Sequence, residues 1–128
     1  CDRGKLESVA ARKFDALFAK LPSLLVDESP SLVHGDLWGG NVMTGSAGHP
    51  CLIDPAVYYG NREVDLGMTQ LFGGFDSSFL AYYNEAFPLM AGYEERMEIY
   101  NLYPLLVHVN LFGAGYARQV VATVNRFI

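Results

Sequence analysis

The stretch HGDLWGGN, residues 34–41, decides the fold of this chain and lies between two short apolar runs. The second run, residues 51–53, is followed directly by Asp54. Asp36, Asn41 and Asp54 therefore stand at the mouths of apolar segments that are predicted to be strands. Folds keep chemistry at such places, because strand ends are rigid and the loops beyond them are exposed.

Length, composition and charge place the chain among folded globular proteins and exclude some partners. It has 128 residues, of which 51% are hydrophobic and 18% charged, so residues 1–128 are enough for a single domain with a core. The net charge of −5 argues against nucleic acid and anionic membrane surfaces as main partners. A phosphate ligand stays compatible with this charge, because a bound divalent cation can reverse the local sign.

The cysteines and the apolar runs predict a cytoplasmic protein without a membrane span. The spacing of Cys1 and Cys51 suits neither a zinc site nor a disulfide framework, so we expect a reducing compartment. We expect no signal peptide, because the 128 residues contain no such pattern, and no apolar run among them is long enough to cross a bilayer. The chain opens with Cys1 rather than Met and ends in an apolar helical pattern, so we expect a piece of a longer protein.

The spacing of apolar residues predicts an α+β chain that is mostly α. Steps of three and four predict an amphipathic helix over residues 4–21, which Pro22 should end. Further helices are predicted over residues 63–72, 77–87, 93–112 and 116–127. Pro104 should kink or split the third of these. Residues 55–62 are predicted to be irregular.

Two short apolar runs around a row of turn-forming residues, 45–50, predict a small β-hairpin beside the polar stretch. With this turn, Thr44 is expected to pair with Cys51. The same register places Asn41 opposite Asp54, on one face, with α-carbons roughly 4.5–5.5 Å apart. A slip of one residue would undo this juxtaposition.

The three polar side chains suit a hard cation and a phosphoryl transfer. Mg²⁺ takes oxygen ligands and is typically held by one or two carboxylates plus substrate phosphates, and Asn41 and Asp54 offer such a pair. Asp36 lies five positions before Asn41 on a glycine-bounded loop, where it can face a substrate hydroxyl as a base. Protein kinases divide the labour in this way, with the loop H-R-D-x-x-x-x-N supplying the base and one metal ligand and a later Asp the other.

Further motifs follow in order: LIDPAVYYGNREVDLGM at residues 52–68, LFGGF at 71–75, and LYPLL, VNLFG and GY within 100–116. With HGDLWGGN they closely resemble the fructosamine kinase (ketosamine-3-kinase) family, over most of residues 31–116. That family belongs to the aminoglycoside and choline phosphotransferase group, so the resemblance implies a protein-kinase-like fold.

The resemblance implies ATP-dependent phosphorylation of ketosamines, meaning fructosamines and related sugar adducts on amines or proteins, with Mg²⁺. It implies that Asp36 is the catalytic base and that Asn41 and Asp54 are metal ligands. Asp65 resembles a buried Asp that in such folds accepts hydrogen bonds from the catalytic-loop backbone. Another acceptor, such as an aminoglycoside or an amino alcohol, is an open alternative, as is a non-catalytic ligand-binding module.

The remaining candidates divide between structure and substrate contact. His34 ends a predicted strand and should pack beneath the loop, so its role is expected to be structural. Trp38 stands where protein kinases carry a phosphate-contacting Lys, and its indole could stack on a sugar. Tyr58 is open between packing and substrate contact in the same way.

The parts of a kinase that clamp the nucleotide are not found in the chain. Kinases need a Gly-rich loop over the phosphates and a strand Lys paired to a helix Glu. Neither pattern occurs among the 128 residues. We therefore expect the C-terminal lobe of a kinase with a small catalytic hairpin, the N-terminal ATP-clamping lobe being absent. Alone, such a piece is expected to be inactive and to self-associate through its uncovered apolar face.

Overall fold

The computed structural model describes residues 8–128, with side chains from residue 10 onward. This part of the chain is mostly helical with two small antiparallel sheets, which confirms the predicted α+β, mostly α, composition. The helices are α1 (Ser8–Leu24), α2 (Glu63–Leu71), α3 (Ser78–Ala86), α4 (Tyr93–Tyr100), α5 (Leu102–Phe112) and α6 (Ala117–Phe127). The strands are β1 (Ser31–Val33), β2 (Val42–Thr44), β3 (Pro50–Leu52) and β4 (Tyr58–Gly60). Within the described range, none of the helices is long and apolar enough to cross a membrane.

The chain divides into two compact units. The helical unit comprises the described part of Cys1–Asp27 together with Glu98–Ile128, and the sheet unit is Glu28–Met97. Both sheets and every candidate site residue named from the sequence lie in the sheet unit. Helix α4 begins in the sheet unit and ends in the helical unit.

The helical unit has a small apolar core between α1, α5 and α6. Leu17, Leu105, Val120 and Val124 are almost completely buried in it. Val120 and Val124 are four residues apart on α6, so they lie on one face of that helix, as the apolar spacing predicts. This burial of one helix stripe is what stabilises an amphipathic helix in a folded protein.

Helix α1 continues through Pro22 to Leu24, so the predicted stop at Pro22 is wrong. Proline removes one N–H donor. Because Pro22 lies close to the end of the helix, this costs a single backbone hydrogen bond. The next residues keep theirs, and the N–H of Leu25 still donates to the carbonyl of Leu21 at 2.9 Å. The predicted start at residue 4 lies outside the described residues.

The predicted helix over residues 93–112 is two helices that are separated at Asn101, so the expected effect of Pro104 is confirmed. Pro104 lies in the first turn of α5, where a backbone nitrogen needs no partner in the helix. The first hydrogen bond of the new helix runs from the N–H of Leu105 to the carbonyl of Asn101, at 3.1 Å. The break therefore falls three residues before the proline.

One strand of the sheet unit, β4, lies in the segment predicted to be irregular. It pairs antiparallel with β1, so that Tyr58 lies opposite Val33 and Tyr59 opposite Leu32. Three residues are too few to show the alternation that marks a strand, and this pairing is long-range. It returns the segment after Asp54 to the strand that leads into the HGDLWGGN stretch.

The hairpin of β2 and β3 forms, but its register differs by one residue from the prediction. Thr44 pairs with Pro50 rather than with Cys51. The loop is shorter than expected, because the N–H of Gly45 donates to the carbonyl of His49 at 2.7 Å and Pro50 joins the strand. Proline is tolerated in an edge strand, where no ladder partner needs its missing N–H.

The register decides which residue faces Asn41 at the open end of the hairpin. Continuing the observed pairing places Asn41 opposite Ile53, and the N–H of Ile53 donates to the carbonyl of Asn41 at 2.9 Å. The predicted direct opposition of Asn41 and Asp54 is therefore wrong. Asp54 is the next residue along the chain from the partner of Asn41, so the two segments still meet at this end.

Candidate active site

The HGD loop, as we call residues 34–41, is held at its beginning by the carboxylate of Asp65. The backbone N–H of His34 donates to Asp65 Oδ2 at 2.6 Å, and that of Gly35 donates to Oδ1 at 2.9 Å. Asp65 lies in the first turn of α2 and is half-buried. A carboxylate that accepts two backbone N–H groups is a strong, directional clamp, and the contact is the one that the family resemblance implied for this residue.

The second residue of the loop has to be glycine. Gly35 has a φ of +84°, a conformation that side chains disfavour. A Cβ there would lie 2.1 Å from the carbonyl oxygen of Ala56. The backbone of the HGD loop therefore lies directly against the segment that follows Asp54, and any larger residue would separate the two.

His34 joins the same two segments through its ring and its backbone. Its Nδ1 accepts the N–H of Asp36 at 3.3 Å, so Nε2 carries the proton and donates to the carbonyl of Ile53 at 2.9 Å. Its own carbonyl accepts the N–H of Ala56 at 2.8 Å. The ring is half-buried and fully used in these contacts. These bonds flank Asp54 on both sides in the chain.

The candidate base and a candidate metal ligand are bonded to each other. Asn41 donates from Nδ2 to Asp36 Oδ2 at 3.0 Å and to the Asp36 carbonyl at 2.9 Å. Asn41 is only 6% exposed, whereas Asp36 is half-buried. The N–H of Asn41 donates to the carbonyl of Trp38 at 2.9 Å, which closes the turn between them. Because both side-chain bonds use Nδ2, the oxygen Oδ1 of Asn41 is not engaged by them.

Asp54 lies where the hairpin strand ends. Its φ of +49° is left-handed, a conformation that Asp tolerates better than most side chains, and its side chain is exposed. Strand alternation therefore stops at this residue. Across the described chain, no three His, Cys, Asp or Glu side chains cluster closely enough to hold a metal ion. An oxygen pair from Asn41 and Asp54 fits Mg²⁺, which relies on waters and substrate phosphates for its other ligands.

Trp38 is packed on one side and open on another. Its indole meets the ring of Phe72 edge-on, with 6.4 Å between the centroids and 81° between the planes. The same ring lies over Gly40, where an added Cβ would be 2.3 Å from it. Trp38 nevertheless keeps 41% of its surface exposed. An aromatic ring held in place with an open side is suited to stack on a ligand.

The HGD loop also contacts the GG pair of the LFGGF motif, a contact that the sequence reasoning missed. A Cβ at Gly39 would lie 2.8 Å from the Cα of Gly74, and one at Gly74 would lie 2.7 Å from the Cα of Gly39. The two backbones therefore touch directly, next to Trp38 and Phe72. The paired glycines in both motifs were the indication of this contact in the sequence.

Tyr58, the other tentative substrate contact, lies on β4 opposite Val33. Val33 is buried and immediately precedes the HGD loop. The ring of Tyr58 covers Gly60, because a Cβ there would lie 2.6 Å from it, and 46% of the residue is exposed. Tyr58 therefore combines packing with an accessible ring edge near the start of the loop.

A loop Asp bonded to an Asn, with a second Asp beyond a hairpin, is the set of groups that phosphotransferases of the kinase class use. The family model described as fructosamine kinase matches residues 4–128. The chain belongs to the fructosamine kinase family, and the resemblance drawn from its motifs is confirmed.

Individual relatives agree with the family. The chain is 52% identical over 99 residues to a probable ketoamine kinase of Enterococcus faecium, covering 77% of this chain and 36% of that protein. It is 45% identical over 109 residues to the ketosamine-3-kinase of Mus musculus, covering 84% and 35%. The chain thus spans about a third of the length of these curated relatives.

Solved structures match as well. A crystal structure assigned as a fructosamine-3-kinase from Thermobifida fusca superposes with a TM-score of 0.85 at 42% identity, covering 97% of this chain and 43% of that one. A second, from Haemophilus somnus, has a TM-score of 0.77 at 31% identity, covering 91% and 40%. The fold of the described residues is therefore that of a segment of these proteins.

Proposed function

We propose that the chain is part of a kinase that transfers the γ-phosphoryl group of ATP to a sugar hydroxyl of a ketosamine. The names of the relatives, ketoamine kinase and ketosamine-3-kinase, support this acceptor class. The observation that carries the proposal is the hydrogen-bonded pair of Asp36 and Asn41 at the end of a clamped loop. Residues 1–128 would form one domain, the C-terminal lobe of a protein-kinase-like fold.

In this proposal Asp36 orients the acceptor hydroxyl and takes its proton as the new O–P bond forms, while the bond between the γ-phosphorus and the bridging oxygen breaks and ADP leaves. Phosphoryl transfer depends mainly on positioning and charge stabilisation, so a base held in one orientation is what the reaction needs. Asn41 holds Asp36 Oδ2 at 3.0 Å, which leaves Oδ1 of Asp36 for the hydroxyl. The bonds of His34 and Asp65 to the loop backbone keep this carboxylate in place.

The donor set near the base fits Mg²⁺. Asn41 would contribute Oδ1 and Asp54 a carboxylate oxygen. When bound, Mg²⁺ would neutralise charge on the phosphate oxygens of ATP. The clamp of Ile53 by both Asn41 and His34 sets the backbone immediately before Asp54 and so limits where its carboxylate can reach.

The acceptor would lie against the exposed side of Trp38, with Tyr58 as a further contact. A sugar presents C–H groups that stack on an indole face, while its hydroxyls keep their hydrogen bonds to polar groups. The acceptors would be free ketosamines or glycated amines and proteins in the cytoplasm. The net charge of −5 suits neither nucleic acid nor an anionic membrane as a partner. Without the rest of the longer protein, the chain would be inactive and would self-associate.

The proposal is tested with the full-length protein, ATP and Mg²⁺ by comparing a small fructosamine with an aminoglycoside and an amino alcohol. We expect the fructosamine to have the highest kcat/KM, with the phosphate on a sugar hydroxyl. A higher value for either other compound would reassign the acceptor. Tight fructosamine binding without any transfer would instead indicate a binding module.

A further inference from the structure

Two consecutive charged residues at the start of α2 are buried in the sheet unit. Arg62 and Glu63 stand immediately before and at the start of the helix. Each forms an ion pair: Arg62 donates three hydrogen bonds to Glu28, and Glu63 accepts two from Arg96. The sequence indicated no part in the site for these residues, although the NRE triplet lies within the family motif.

The pair between Glu63 and Arg96 is almost completely buried, with 1% and 6% of the side chains exposed. Arg96 Nε donates to Glu63 Oε2 at 2.8 Å, and Nη2 donates to Oε1 at 2.8 Å. The two side chains therefore form a bidentate fork of two parallel hydrogen bonds. The outer nitrogens also donate to two neighbouring carbonyls, Ala91 at 2.7 Å and Met90 at 2.8 Å. Such a planar fork tolerates little rotation or displacement of its partner.

Arg62 also combines an ion pair with hydrogen bonds to backbone carbonyls. It donates from Nε and Nη2 to Glu28, and from Nη1 and Nη2 to the carbonyls of Phe87 and Pro88, both at 2.8 Å. Its guanidinium also lies 3.8 Å from the centre of the Phe87 ring. The hydrogen bonds to Glu28 raise the pKa of Arg62 above its ordinary value. The α3–α4 connector, residues 87–92, is thus bonded to the start of α2 through both arginines.

Stability alone does not account for a buried ion pair. The desolvation of two charges largely offsets their attraction, and apolar side chains of similar volume often replace such a pair without loss of stability. An apolar pair lacks the directional hydrogen bonds of an ion pair. Two parallel hydrogen bonds from an arginine to a carboxylate set the position of the helix that carries the carboxylate, here the first turn of α2.

The same turn carries the clamp of the HGD loop. Asp65 lies two residues after Glu63, and its two oxygens accept the N–H groups of His34 and Gly35. The N–H of Glu63 is itself capped by Asn61 Oδ1 at 2.8 Å, so the turn is held at its beginning as well. A displacement of α2 by a fraction of an ångström would lengthen both bonds from the loop, because Asp65 has a short side chain.

We propose that Glu63 and Arg96 are positioning residues: their buried fork sets the start of α2, so that Asp65 holds the HGD loop and orients Asp36. The structural half of this inference stands by itself, and its kinetic half rests on the proposed function. The fork is 2.8 Å on each bond and the clamp 2.6 and 2.9 Å, so contact is continuous from Arg96 to the loop.

The test uses two variants of the full-length protein. The double variant Glu63→Met with Arg96→Met keeps the volume and removes the charges, so it should stay folded. Arg96→Lys keeps the charge but cannot make two parallel bonds. Glu98→Gln is the matched control, because it removes an ion pair from the same helix α4 that is solvent-exposed, with 57% and 41% of the Arg126 and Glu98 side chains exposed.

Two readouts are measured, amide exchange at His34 and Gly35 and steady-state kinetics. For both test variants we expect exchange about 10-fold or more faster, and kcat about 10- to 100-fold lower at a nearly unchanged KM, as for a misplaced catalytic group. The control should match the wild type in both. If the double variant does not fold, Arg96→Lys decides the matter.

Wild-type exchange at both amides in a folded test variant would overturn the inference. Faster exchange with kcat within about twofold of wild type would overturn its kinetic half. Substituting a residue that supports a functional side chain normally lowers activity by more than that. If the full-length protein phosphorylates no ketosamine at all, the exchange readout still stands. Failure of the proposed function and failure of this inference are therefore distinguishable.

Discussion

Asn41 donates two hydrogen bonds to Asp36, one to the carboxylate at 3.0 Å and one to the backbone carbonyl at 2.9 Å. The two residues are five positions apart, and the turn that closes at Asn41 brings them together. The candidate base is therefore oriented by a neighbour on its own loop. This local arrangement, rather than the opposition of two hairpin residues, is the centre of the site.

The substitution Asp36→Asn in the full-length protein should lower kcat far more than it weakens acceptor binding. Amide and carboxylate have the same shape, so the loop contacts survive while the proton acceptor is lost. General base catalysis contributes typically about 10²–10⁴-fold, and we expect a loss in that range. Steady-state kinetics separate the two parameters, and equal losses in kcat and acceptor affinity would contradict the base role.

The substitution Asn41→Ala should lower kcat and raise the Mg²⁺ concentration required for half-maximal activity. The substitution has two effects at once. It removes the 3.0 Å hydrogen bond to the Asp36 carboxylate, and it removes one proposed metal ligand. Asp54→Asn is the comparison, because it should raise the Mg²⁺ requirement without touching the Asp36 contact. Titration of activity with Mg²⁺ checks both, and an unchanged requirement in the two variants would remove these residues from the metal site.

The substitution Trp38→Ala should raise KM for a fructosamine, since the proposed stacking surface is lost. Trp38→Phe should retain part of the affinity, because Phe keeps an aromatic face at that position. In a series of substrates with increasing sugar content, the Ala variant should show the largest increase in KM. Unchanged KM in both variants would assign Trp38 to packing against Phe72 alone.

The substitution Gly39→Ala should destabilise the protein, because its Cβ would lie 2.8 Å from the backbone of Gly74. Forced overpacking of this kind costs about 1–3 kcal/mol. Gly115→Ala is the matched control, since no heavy atom lies within 4 Å of its added Cβ and its φ is not positive. Thermal unfolding measures both variants. Equal melting temperatures in the two variants would show that the HGD loop and the LFGGF motif can move apart at little cost in stability.

The pKa of Asp76 lies below its ordinary value because the N–H and hydroxyl of Ser78 both donate to its carboxylate at 2.7 Å. The ionised form is thus favoured by folding. Its contribution to stability is full above the unfolded-state pKa and is lost as pH falls through the folded-state pKa. Ser78→Ala removes the hydroxyl bond but keeps the N–H, so the pKa should rise part of the way. An NMR titration of the Asp76 carboxyl checks this, and an unshifted curve would contradict it.

Local features were predictable from the sequence because they depend on neighbours in the chain. Helices α2, α3 and α6 agree with their predicted ranges to within about a residue at each end, since apolar spacing and flanking glycine or proline define them. The loop of Asp36 and Asn41 was predictable for the same reason: both residues lie in one short motif with a set spacing.

Long-range pairings were beyond the sequence. The one-residue difference in hairpin register follows from whether Pro50 belongs to the turn or to the strand, which the composition of the turn does not decide. Strand β4 exists because β1 offers it a partner. The joining of Arg96 to Glu63 across 33 positions likewise needs both helices in place.

By itself, the sequence determined the family, the mostly helical composition and the candidate site residues of the HGD loop, because these depend on short motifs and local spacing. Only the tertiary structure decided how that loop is held: by Asp65 from α2, by the His34 contacts to Ile53 and by the buried fork beneath. The physical reason is that a hydrogen bond or ion pair between distant positions depends on where packing places both partners, and chain spacing carries no record of that.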